Sequence, residues 1–342
     1  MLDFSNYPLW LNASIFLAAA VAVWWAGTRL TRYADAISEI TGLGQALVGM
    51  LLLGGITSLP EIAVTVTAAA TGSAGLAVSN ILGGVALQVV VIALGDSLLR
   101  GHAMTFQVAK PVILLQGVFS CLLLCMIVAA IVVGDLAVAG VGLWSTGVLL
   151  AGILMMWLIS RYKGSQRWRP VPEPKHEQGE KEGKPERLSR AVLLTGAMGA
   201  VILAAGFFLA KTGEAIAGQT GISENFVGAT LVGAATSLPE ISTVVTAVLI
   251  RRYMMAFSDI FGTNIFDLML IFLVDVASPG PAVINEQGGF AAFGAVLGIV
   301  VTLIYVSGLI ERSNRTLLRL GVDSWAVIAT YFGGVGVLWY LS

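Results

Sequence analysis

The sequence predicts an all-α membrane protein with ten transmembrane helices in two inverted five-helix repeats. Three observations carry this expectation. First, 57% of the 342 residues are hydrophobic and only 11% are charged, where a soluble domain carries about 25% charged residues. Second, apolar runs of bilayer-spanning length, roughly 20 residues, recur along almost the whole chain, and mean hydropathy is +0.89. Third, the string TSLPEI occurs at 57–62 and again at 236–241, each time setting a proline and a glutamate inside an apolar run.

The spans follow in order. The first, 9–30, comes after Asp3 without a basic cluster, and its apolar run, about 9–28, is followed by Arg29 and Arg32. That charge order is the reverse of a cleaved signal, so the span is expected to stay. Next come 43–70, containing Pro60, then 74–96, 106–133 and 137–161. Cys121 and Cys125 lie four apart in the fourth run and read as packing or lipid-facing residues, since two cysteines make no disulfide framework. Residues 162–189 are rich in Pro, Glu and Lys, cannot bury a core, and read as a flexible cytoplasmic linker. Spans 190–212, 224–250, 254–276, 288–311 and 322–341 complete the chain. Residues 1–161 thus form one half and 190–342 the other.

The basic residues test this layout, because Lys and Arg gather in cytoplasmic loops. With both termini outside, the inside loops take 18 of the 19 Lys and Arg, and only Lys211 falls outside. Shifting the count by one span would scramble the split.

Sliding the chain by 179 residues aligns 42–96 with 221–275 without a gap, with 21 of 55 positions identical. The identities cluster at Gly, Thr, Ser, Pro and Glu. Five spans per half is odd, so the copies face opposite ways across the membrane, as in secondary transporters whose repeats meet at the midplane. A duplicated scaffold is the plainer alternative, but a scaffold does not require buried carboxylates.

Pro60 and Pro239 lack an N–H and should break their helices, freeing carbonyls around Gly55–Ile56 and Ala234–Ala235, with Gly54 and Gly233 easing the unwinding. Free carbonyls at membrane depth belong in a protein interior or an aqueous cavity. Thr57, Ser58 and Glu61 share a helix face, as do Thr236, Ser237 and Glu240. A lone Ser-x-x-Glu is usually a capping box, and that role can coexist with ion binding. A carboxylate at bilayer depth, however, costs on the order of 2.5–3.5 kcal/mol on the insertion scale. Asn80 and Asp259 correspond between the repeats, each 19 residues beyond its glutamate; an interhelical hydrogen bond is the plainer role for Asn80. Glu61, Glu240, Asp259 and Asn80, flanked by hydroxyls and carbonyls, would make an all-oxygen cage suited to hard cations such as Ca²⁺ rather than to soft metals. Both histidines, His102 and His176, lie in expected loops. Asp267, the counterpart of Gln88, either lines an access path or makes a polar interhelical contact, and Asp96 and Asp275 read as solvated helix ends.

On these residues the chain resembles the sodium/calcium exchanger family of the cation/Ca²⁺ exchanger superfamily, in its prokaryotic two-repeat form. The family motif G-x-x-T-S-L-P-E runs here from Gly54 to Glu61 and from Gly233 to Glu240, and its second motif falls at Ser79–Gly83 and Ser258–Asn264. The resemblance implies a secondary antiporter, not an enzyme, that exchanges Ca²⁺ for Na⁺ by alternating access. Glu61 and Glu240 would be the central ligands, with Asn80 and Asp259 beside them and Thr57, Ser58, Thr236 and Ser237 giving oxygens chiefly to Na⁺. Where the family has Gly-Ser-Asn, repeat 1 has Gly83–Gly84–Val85; Ser79 and Ser258 replace a usual Gly, and Leu76 and Met255 supply no oxygen one turn earlier. These departures keep a Ca²⁺/H⁺ antiporter open, since burial favours the protonated acid. A passive cation channel is the reading from another class; clustered carboxylates favour a carrier. An intramembrane hydrolase is discounted because no His sits in the spans. The ions and the bilayer are the expected partners. No cofactor, nucleic acid or obligatory protein partner is implied, and the expected location is the cell membrane.

Overall fold

The computed structural model describes residues 4–42, 45–99, 102–108, 110–138, 140–162, 187–220, 223–278 and 280–342. Among them are ten helices or helix pairs able to cross a membrane by length and composition: α1 (Leu9–Thr41), α2 (Ala46–Ala70), α3 (Ala74–Ser97), α4 (Pro111–Val133), α5 (Leu143–Ser160), α6 (Leu188–Thr220), α7 (Asn225–Thr236 with Leu238–Leu249), α8 (Tyr253–Ala277), α9 (Gly289–Glu311) and α10 (Val322–Leu341). Every expected span is present. Residues 163–186 of the expected linker lie outside the described residues, and Leu188, assigned to that linker, opens α6.

Several boundaries differ from expectation for physical reasons. α1 and α6 each run 33 residues, about 50 Å at 1.5 Å per residue and well beyond a bilayer core of about 30 Å. Arg29 and Arg32, assigned to a loop, therefore sit within α1, which stops only at Gly42 with φ +71°. Polar side chains do not end a helix; a left-handed glycine does. α4 starts at Pro111, after the separate short helix Met104–Gln107. α5 starts at Leu143 because the preceding residues form a hairpin, β1 (Ala137–Val138) with β2 (Val141–Gly142). Its counterpart β3 (Thr316–Leu317) with β4 (Leu320–Gly321) precedes α10.

α3 and α8 form the centre. In the most apolar window of α3, 94% of residues are buried, against 22% for α1 and for α5, which leaves those two to face lipid. α1 and α6 form the most extensively packed pair, and each also lies against the broken span of the other half, α1 on α7 and α6 on α2. The contacts between the halves come in pairs related by 179 residues, as a two-fold axis requires. A Cβ on Gly49 would meet the Met255 carbonyl at 2.9 Å, and one on Gly228 the Leu76 carbonyl at 2.8 Å. Only glycine lets α2 approach α8, and α7 approach α3, this closely. Gln88 and Asp267, each the other's counterpart, hydrogen bond directly at 3.0 Å, which places them at the pseudo-two-fold axis.

Asp96 and Asp275 are not the solvated helix ends that sequence position implies. They are 1% and 2% exposed. Asp96 accepts hydrogen bonds from Met104 N (2.7 Å), Gly321 N (2.7 Å) and Ser324 Oγ (2.7 Å). Asp275 accepts from Val283 N (2.8 Å), Gly142 N (2.6 Å) and Ser145 Oγ (2.5 Å). Each carboxylate thus caps the hairpin–helix junction of the opposite half. The sequence hid this because two of the three donors to each carboxylate, a backbone N–H and a serine hydroxyl, lie more than 100 residues away in the chain.

An ion pair is among the contacts that break the symmetry. Arg252, at the start of α8, pairs with Asp35 (2.8 Å) and Glu39 (2.5 Å) near the end of α1. Its counterpart in repeat 1 is Ser73. Arg252→Met is expected to destabilise the protein by about 1–3 kcal/mol, since it leaves two carboxylates without their cation. A thermal melt of the purified protein checks this.

Candidate ion-binding site

The doubled TSLPE segment does interrupt its helix, two residues before the proline. In α2 regular helix runs to Thr57, Ser58 leaves it at ψ 1°, and helix resumes at Leu59 with Pro60 in the first turn. α7 repeats this at Ser237 (ψ 3°), and its two segments meet at 42°. Proline is at home in a first turn, where the N–H has no intrahelical partner anyway. One turn earlier each span carries a π-helical turn, Gly49–Leu53 in α2 and Gly228–Val232 in α7. Sequence reasoning did not find these turns; π-turns leave no strong residue signature, though they recur at functional sites.

The break puts the two glutamates at the start of fresh helices, pointing inward. Glu61 is 3% exposed and Glu240 0%, and both oxygens of each lack a hydrogen-bond donor from the protein. Thr236 lies beside the Glu61 carboxylate, but without hydrogen-bonding geometry; its hydroxyl donates instead to Gly233 O at 3.2 Å. Glu240 lies within electrostatic range of Glu61, Asp267 and Asp259. Asp259 is fully buried, accepts the Thr243 hydroxyl on one oxygen, and has the other unpartnered. Asn80 is buried with both amide atoms unpartnered. Ser58 Oγ donates to Gly54 O at 2.9 Å, and Thr57 Oγ1 lies 3.4 Å from Thr263 Oγ1 across the α2–α8 contact. The Ser237 hydroxyl has no partner.

The structure therefore brings both glutamates and Asp259 into one buried neighbourhood, joined by Asp267. It does not press them into one tight cluster: among the described residues, no three Asp, Glu, His or Cys side chains stand close enough to hold a metal ion together. Amide, hydroxyl and carbonyl oxygens must supply much of any coordination shell. The hydroxyls of Ser58, Thr57 and Thr236 all turn onto carbonyls of the preceding turn, Gly54 O and Gly233 O, which adjoin the Gly55–Ile56 and Ala234–Ala235 carbonyls expected to be free. Sequence reasoning missed Thr243, the partner of Asp259; its position three residues after Glu240, on the same helix face, was the available signal. It also left out Asn264, fully buried with both amide atoms unpartnered.

Buried, donor-poor carboxylates at the junction of two symmetry-related broken helices define a membrane transporter of cations. Residues 11–163 and 190–341 match the family described as sodium/calcium exchanger protein, and the chain belongs to that family as a multi-pass membrane antiporter. Among its relatives is CaxA of Alkalimonas amylolytica, a candidate antiporter, 24% identical over 89% of this chain and 93% of its own. Another is the inner membrane protein YrbG of Escherichia coli strain K12, 24% identical over 79% of this chain and 81% of its own. The fold matches the sodium-calcium exchanger NCX_Mj soaked with Na⁺ and Sr²⁺, with a TM-score of 0.66 at 16% identity, covering 96% of this chain and 99% of that one.

Proposed function

We propose that the protein exchanges Ca²⁺ for Na⁺ by alternating access at one central site. Glu61 and Glu240 are its principal ligands, Asp259 and Asn80 complete it, and Thr57, Ser58, Thr236 and Ser237 serve the smaller-charge ion. The observation that carries this reading is the set of four glutamate oxygens, buried and without protein donors, at positions matched by the repeat. An uncompensated buried charge is strongly unfavourable, and a hard cation that brings its own charge relieves it. Ca²⁺ and Na⁺ compete for the same oxygens, and exclusion of one by the other couples their fluxes. NCX_Mj, whose fold this chain shares, is a sodium-calcium exchanger.

The ions are cargo, and the protein's part is to hold oxygens in place and keep water out. The two halves 1–161 and 190–342, joined by a cytoplasmic linker at 162–189, place both termini outside the cell membrane. The second reading is Ca²⁺/H⁺ exchange. Leu76 and Met255 are buried beside the close approaches of α7 and α2, and their side chains carry no oxygen. Protons titrating the same acids need no such ligands. Uptake of ⁴⁵Ca²⁺ into proteoliposomes separates the two. Uptake driven by an outward Na⁺ gradient at equal pH is the expected result; uptake that follows only a pH gradient assigns the proton instead.

A further inference from the structure

We propose that Gln116 is a positioning residue for the ion site, a step that rests on the site assignment above. Gln116 is on α4, outside both repeated motifs, and fully buried. Its Nε2 donates to Ser258 Oγ at 2.7 Å, and Ser258 Oγ donates to Ala46 O at 2.5 Å. The polarity of this chain is fixed. A carbonyl only accepts, so the single hydroxyl hydrogen of Ser258 is committed to Ala46, and Gln116 must present its N–H₂ to the remaining lone pair.

The three groups come from three elements, and two of these carry the site. Ser258 immediately precedes Asp259 on α8. Ala46 is the first residue of α2, which continues through its π-turn to Thr57 and Glu61. The hydroxyl therefore ties the helix of one half's carboxylate to the entry of the other half's broken span. The same junction is where a Cβ on Gly49 would stand 3.3 Å from Asp259 N. Gln116 keeps that hydroxyl aimed at Ala46; without it, the Ser258 rotor has other orientations.

The other repeat is the internal control. Ser79 occupies the place of Ser258 before Asn80, yet its buried hydroxyl has no partner. α4 and α9 start at Pro111 and Gly289 and end at Val133 and Glu311, which sets Gln116 opposite Gly294, and neither Gly294 nor its neighbour Ala295 has a side chain that can donate. The α2–α8 junction is thus tied through a serine hydroxyl and its counterpart at α7–α3 is not, and the tied junction is the one with an amide donor on the serine. Pinning fixes the distance between Asp259 and the Thr57–Glu61 segment, which sets how well their oxygens fit an ion.

The test uses the full-length protein in proteoliposomes, with Gln116→Leu, Ser258→Gly and the double variant, read as KM for Ca²⁺, Vmax and thermal midpoint. Each single variant is expected to raise KM roughly three- to tenfold, the scale of one buried neutral hydrogen bond, with Vmax changed less than twofold. The double variant is expected to show no further rise, because both changes break the same link. A purely structural Gln116 would lower the thermal midpoint, leave KM in place, and add its effect to that of Ser258→Gly; either result overturns the inference. Should Gln116→Leu fail to fold, Ser258→Gly with an unchanged KM overturns it alone. Exchange retained in Glu240→Gln would instead sink the site assignment, so the two failures are distinguishable.

Discussion

Glu240→Gln is expected to abolish Ca²⁺ exchange while leaving the ten-helix fold intact. The substitution keeps the shape of the side chain but removes its charge and replaces one acceptor oxygen with a donor. In the native protein both carboxylate oxygens are buried without a protein donor, and three further carboxylates lie within electrostatic range. Removing one charge from this group relieves repulsion, so the thermal midpoint should stay level or rise. For transport the same change takes away a full unit of the charge that compensates Ca²⁺ and turns an N–H₂ toward the ion. A loss of at least a hundredfold in ⁴⁵Ca²⁺ uptake follows from about 2.7 kcal/mol, a modest part of what an ion in a low-dielectric site draws from one carboxylate. Glu61→Gln should behave alike, because both Glu61 oxygens are likewise buried without a protein donor. Uptake above half the native rate in either variant, with folded protein, would overturn the site.

Some of this was legible in the sequence because it is written in local pattern. Ten apolar runs, a 179-residue offset and a proline beside a glutamate need no tertiary information. All ten spans are present, and both glutamates are buried at broken helices. What was hidden depends on contacts distant in sequence. Asp96 and Asp275 looked like helix ends at a water interface because two of the three donors to each lie on the opposite half. α1 looked shorter because Arg29, Arg32, Asp35 and Glu39 read as loop, although nothing before Gly42 stops the helix and Arg252 from the other half neutralises two of its acids. The hydroxyls expected to face an ion turn partly onto their own helix, since a Ser or Thr at a broken turn has a backbone carbonyl within reach. Gln116 lies outside the aligned segment 42–96 and outside both motifs, so only the fold reveals its link to Ser258.

Asp275→Ala is expected to have the opposite signature: loss of fold with no direct effect on the ion site. Asp275 satisfies Val283 N on one oxygen and Gly142 N and Ser145 Oγ on the other. Alanine leaves Val283 N and Gly142 N without an acceptor in a buried junction, while the Ser145 hydroxyl still has Gly142 O at 2.9 Å; at about 1–3 kcal/mol for each orphaned donor the loss is about 2–6 kcal/mol in all. Against a typical stability of about 5–15 kcal/mol, that is enough to lower the thermal midpoint by on the order of 10 °C or to prevent recovery of monodisperse protein. Asp96→Ala should match it, because Met104 N, Gly321 N and Ser324 Oγ form the related junction. Asn at either position keeps one acceptor oxygen and should be milder. Asp275 lies 16 residues beyond Asp259 on the same helix, about 24 Å along its axis. Whatever Asp275→Asn protein folds should therefore bind Ca²⁺ with native KM. An Asp275→Ala protein with an unchanged melt would show that the junction holds without its carboxylate. A raised KM in Asp275→Asn would show that the junction and the ion site are not separate parts of the molecule.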